Sequence, residues 1–96
     1  MGFRETRAEV IERLKNGHIQ HDMSRSGEID VKNLMLVGEI SVDEVIELLK
    51  KVRGTEYSSS PHHSVSGIDV HIFKPEGWYI KCYFLDPDVV FISVHK

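Results

Sequence analysis

Three short runs, 68–74, 78–85 and 89–95, succeed one another with only Pro75-Glu76-Gly77 and Asp86-Pro87-Asp88 between them. Each alternates with the period of two that a β-strand imposes on its side chains. Spacers this short and rich in turn residues favour an antiparallel meander. Almost a third of the chain is thereby committed to one sheet, and whatever precedes it must pack against that sheet.

The preceding stretch reads as helical. Ser41-Val42-Asp43-Glu44 fits a capping box, in which side chains satisfy the free amides of a helix start. Val42, Val45, Ile46 and Leu49 follow at helical spacing. Asp43 and Glu44 open this helix and Lys50, Lys51 and Arg53 close it, complementing its dipole, and Gly54 is expected to stop it. An earlier helix is predicted over 6–16, with Thr6-Arg7-Ala8-Glu9 as its capping box, Val10, Ile11 and Leu14 as its apolar stripe, and Gly17 as its stop. Residues 18–26 and 57–67 read as loops, and a short helix is predicted over 31–37. The expectation is one α+β domain over residues 1–96, with N-terminal helices packed on one face of a C-terminal antiparallel β-meander.

The chain has 96 residues, 41% of them hydrophobic and 28% charged, as befits a globular domain with a single core. No apolar run approaches the length of a membrane span. The lone Cys82 excludes an intramolecular disulfide and suits a reducing compartment, so the expected location is cytoplasmic. The formal net charge of −3 argues against nucleic-acid binding. Six histidines soften that objection, because an imidazole gains charge near neutral pH.

Strict alternation sorts the strand residues into two sets. Trp78, Ile80, Cys82 and Phe84 share one side of the middle strand, opposite Tyr79, Lys81, Tyr83 and Leu85. Ile68, Val70 and Ile72 oppose Asp69, His71 and Phe73. Val90, Ile92 and Val94 oppose Val89, Phe91, Ser93 and His95. With the apolar sets turned to the helices, His71, Tyr79, Lys81 and His95 are expected on one exposed surface, with the His62-His63 loop folded over it. A half-solvated sheet has a polar outer face in any case. This face, however, combines imidazoles, phenols and an ammonium, the groups that move protons around a phosphate.

The segments Gly77-Trp78-Tyr79-Ile80-Lys81 and Asp88-Val89-Val90-Phe91-Ile92-Ser93-Val94-His95-Lys96 resemble the end of the MqsR family of toxins, within the RelE-like group of bacterial toxin–antitoxin systems. Glu56-Tyr57-Ser58 and Val70 through Pro75 fall into rough register, so the resemblance spans about residues 56–96. It implies a RelE-like fold and an mRNA endoribonuclease, active without metal or other cofactor, that a partner antitoxin neutralises. Tyr79 matches the family's functional tyrosine, and His95 stands where the family has its terminal lysine. Two departures are plain: a family lysine falls at Ser58, and a family glutamine falls near Val70.

The candidate catalytic residues are His63, His71, Tyr79, Lys81 and His95, and the candidate RNA contacts are His62, Lys74, Tyr83 and Lys96. In the scheme these suggest, His71 or His63 removes the 2′-OH proton, His95 protonates the leaving 5′-oxygen, Lys81 steadies the phosphate and Tyr79 orients it. Dependence on the 2′-OH restricts such an enzyme to RNA. The alternative is a catalytically inactive protein-binding or regulatory module of the same fold. A metal site is a third reading, from His18, His21, His62 and His63, although zinc-type Cys/His spacing is lacking. Docking of a partner along a sheet edge is compatible with any of these.

Overall fold

The computed structural model describes residues 2–22 and 33–96. Two α-helices, α1 (Phe3–Lys15) and α2 (Val42–Lys50), lie on one face of a five-stranded sheet built from β1 (Ile19–His21), β2 (Tyr57–Pro61), β3 (Asp69–Phe73), β4 (Tyr79–Leu85) and β5 (Asp88–His95). The strand order is β1-β5-β4-β3-β2. The β3-β4-β5 meander is antiparallel, as its turns demand. The expected three-stranded meander is extended on both sides. β2 pairs antiparallel with β3, in a segment expected to be loop. β1 pairs parallel with β5, also where a loop was expected, so the sheet is mixed rather than purely antiparallel.

The α2 expectation holds in atomic detail. The Ser41 hydroxyl accepts from the Glu44 amide at 3.1 Å, and the Glu44 carboxylate accepts from the Ser41 amide at 3.2 Å. The helix ends at Lys50, and Gly54 instead opens a single 3₁₀ turn, Gly54–Glu56. α1 begins three residues earlier than predicted, with Gly2 as its cap. Thr6 is therefore inside the helix, fully buried, and its amide donates to the Gly2 carbonyl at 2.9 Å. Phe3 explains the early start: its ring packs against Tyr57, centroids 5.4 Å apart, which holds the first turn in place. Glu9, freed from capping, pairs with Arg13 at 2.7 Å. Gly17 adopts φ 73°, the left-handed conformation that ends a helix without a Cβ clash. Of the short helix predicted over 31–37, Val31 and Lys32 lie outside the described residues. Asn33 bridges to Val94, and a series of turns follows it.

The core lies between helices and sheet. Val10, Leu14, Val45, Ile46 and Leu49 from the helices meet Phe73, Ile80, Cys82, Val89, Phe91 and Val94 from the strands. Among the described residues no helix covers the opposite face, and none is long and apolar enough to cross a membrane.

Candidate functional site on the open sheet face

Cross-strand partners share a face of the sheet, so the register decides which side chains meet. On the face away from the helices Val70 pairs with Tyr83 and Ile72 with Lys81. Across the other edge of β4, Tyr79 pairs with His95, Lys81 with Ser93 and Tyr83 with Val90. One face of β4 thus presents Tyr79, Lys81 and Tyr83, successive steps about 7 Å apart along the strand.

Around Tyr83 and Lys81 this face sinks into a cavity of about 690 Å³. The chain after β2 forms its wall. His62 sets its ring edge-to-face on Tyr83, with centroids 5.1 Å apart. His63 stacks on His62 at 5.2 Å, the planes within 11°. His62 Nδ1 accepts hydrogen bonds from the amides of Ser64 and Val65, at 3.0 and 3.1 Å. With Nδ1 so occupied, the neutral ring carries its proton on Nε2 and is a fixed donor. Asp22, just past β1, closes the far side. Burial, with the Asp22 carboxylate adding to it, raises the Tyr83 phenol above its usual range, so the hydroxyl keeps its proton.

At the other end of the same face Tyr79 and His95 stack, centroids 5.3 Å apart. His95 Nδ1–H donates to the Lys96 carbonyl at 3.0 Å, which leaves Nε2 as the site for proton exchange. Lys74 places its ammonium 5.9 Å from the centre of the Tyr79 ring. Lys96 instead lies over Trp78, at 5.6 Å. Lys81 stands between the two imidazole groups. His62 and His63 are on one side of it and His95 is diagonal to it on the other, and among the described residues no carboxylate pairs with it.

His71 does not belong to this surface, contrary to the expectation from alternation. Phe73, fully buried against Ile80, fixes the orientation of β3, and His71, two residues away, follows it to the helix side. There His71 is 8% exposed, its Nδ1 is 2.8 Å from the Tyr57 hydroxyl, and its ring packs on Phe84 at 5.3 Å. Burial lowers its basicity, against the pull of Asp69. β5 also departs from strict alternation. A bulge opposite Lys81 and Cys82 leaves Ile92 without a partner on β4, so Phe91 and Val94 both face the helices while Ile92 lines the cavity.

The sequence reading missed Asp22, Ser60 and Ser64 as cavity residues. Asp22 directly follows a parallel strand that no local pattern announced. Cys82, fully buried, has its thiol pushed up to about 12 by burial, which makes it inert as a nucleophile at neutral pH. Among the described residues no three His, Cys, Asp or Glu side chains are grouped to hold a metal ion. No protein-family model matches the chain, and neither a curated protein nor a solved structure matches it.

Proposed function

We propose that this chain is the toxin of a toxin–antitoxin pair, with a RelE-like fold, and that it cleaves mRNA without a metal by histidine acid–base catalysis on the open face of its sheet. The observation that carries this reading is the position of Lys81, an ammonium with imidazoles on two sides and, among the described residues, no carboxylate paired with it. The likeness of residues 56–96 to the MqsR family supports the same conclusion.

The chemistry divides among the residues as follows. His63 takes the proton from a ribose 2′-OH, whose oxygen attacks the adjacent phosphorus. Lys81 and the Nε2–H of His62 offset the charge that builds on the non-bridging oxygens. His95 delivers a proton to the departing 5′-oxygen, leaving a 2′,3′-cyclic phosphate and a 5′-hydroxyl. Tyr79 and Tyr83 hold flanking bases by stacking, as aromatic platforms do for single-stranded nucleic acid. His71 takes no part, so the base role falls to His63. A partner antitoxin silences the enzyme by covering the cavity or by pairing with the exposed edge of β2.

Purified protein should cut a single-stranded RNA in chelator and leave its 2′-deoxy counterpart intact. His63→Ala and His95→Ala should each slow cutting by about 10²–10⁴-fold, the usual contribution of a positioned proton carrier. Intact RNA with wild-type protein, both free and on translating ribosomes, would sink the enzyme reading. Retention of that intact RNA, or of a protein partner, would point to the binding module instead.

A further inference from the structure

We propose that the helical face is an interface between two copies of this chain. The exposed ridge of α2 separates two grooves of opposite charge. On one side a cavity of about 320 Å³ lies between α2 and Trp78. Its floor is Ile40, Leu48 and Trp78, and its rim carries Asp43, Glu44 and Glu47. Lys51, the one cation among the described residues that line it, is engaged by Glu76 at 3.7 Å. On the other side a cavity of about 350 Å³ follows α1, with Ala8 and Ile11 at its base and Arg4, Arg7, Lys15 and Lys50 around it. Glu12 is the carboxylate there. Among the described residues neither Arg4 nor Lys15 has an ion pair. Four cations in one groove are notable in a chain whose net charge is −3.

The two grooves meet at the ridge, where Lys50 and Glu47 pair at 3.3 Å. A two-fold axis through that ridge lays the acidic groove of one copy on the basic groove of the other, and does so twice. This is the self-complementary arrangement of an isologous dimer. An RNA would neutralise the basic groove and leave the acidic one unmatched, and a basic peptide would do the reverse. A second copy answers both with one operation, and each groove also has an apolar floor to desolvate. The open sheet face lies on the opposite side and stays accessible in such a dimer, so the inference is independent of what that face does.

Sedimentation equilibrium over a range of protein concentrations tests it. The wild-type chain should show a monomer–dimer equilibrium that weakens at least tenfold between about 0.05 M and about 0.5 M salt, as screening predicts for exposed charges. Glu47→Lys and Arg4→Glu, each at an exposed position and neither opposing its helix dipole, should each weaken self-association by a similar factor. An equal mixture of the two variants should recover a heterodimer, because the altered grooves then face each other. Circular dichroism checks that both variants remain folded. Wild-type protein that stays monomeric at low salt overturns the proposal, as does a dimer indifferent to both substitutions or a mixture that recovers nothing. A monomer whose RNA retention falls with Arg4→Glu assigns the basic groove to nucleic acid and overturns it equally.

Discussion

Thr6 sits fully buried in the first turns of α1, with no partner for its hydroxyl among the described residues. A buried hydroxyl without a hydrogen bond costs free energy that an apolar group of the same shape does not. Thr6→Val keeps the volume and the β-branch, so it should stabilise the chain by about 1 kcal/mol, read as a higher urea midpoint. The Thr-x-x-Glu signature was legible but misleading here, because the docking of Phe3 on Tyr57 is a tertiary effect that starts the helix earlier. His71 makes a second prediction at this scale. Burial lowers its basicity in the folded state, and burial does the same to His21, whose Nδ1 accepts from Asn33 Nδ2 at 2.9 Å. The folded chain therefore binds fewer protons than the unfolded chain, in which a histidine titrates near pH 6.5. Their contribution is complete above that pH and is lost as the pH falls through and below it. The urea midpoint should drop between pH 7.5 and pH 5.5, and His71→Phe should shrink the drop without abolishing it, since His21 remains. An unchanged drop in that variant would remove His71 as a source.

Elements were legible where their signals are local. α2 carries its start in four consecutive residues, and Ser41→Ala should cost about 1 kcal/mol in urea denaturation by leaving the Glu44 amide without its acceptor. The meander was legible because its turns are short and its alternation spans whole strands. β2 was not, since Tyr57-Ser58-Ser59-Ser60-Pro61 is an exposed edge whose stability comes from the ladder to β3 rather than from its composition. β1 is three residues long and pairs with β5, some seventy positions away. No sequence window contains that contact. The face of β3 was assigned by counting polar residues, whereas one large ring decides it. Phe73 lies against Ile80 and Tyr57, and His71 is carried along to the buried side. The bulge in β5 escaped for a related reason, because it inserts one residue into a run that is hydrophobic on both faces.

At the scale of the whole molecule the charges are divided between faces, and that division makes the RNA reading quantitative. Among the described residues the open sheet face offers two permanent cations, Lys81 in the cavity and Lys74 beside Tyr79. On the proposed reading, recognition there rests on stacking with Tyr79, Tyr83, His62 and His63 and on hydrogen bonds, with little release of counterions. Each phosphate neutralised on a single strand adds about 0.7 to the slope of log affinity against log salt. Two such contacts give a slope of about −1.4, and Lys81→Ala should lower its magnitude by about 0.7. Binding of a non-cleavable 2′-deoxy strand at pH 7.5, titrated by fluorescence anisotropy over a range of salt, measures it. The basic groove beside α1 holds four cations. A strand that lay there would give a slope nearer −3, insensitive to Lys81→Ala but reduced by Arg4→Glu. The shallow, Lys81-dependent slope is the expected outcome, because the aromatic rings able to hold unpaired bases sit on the sheet face around that lysine.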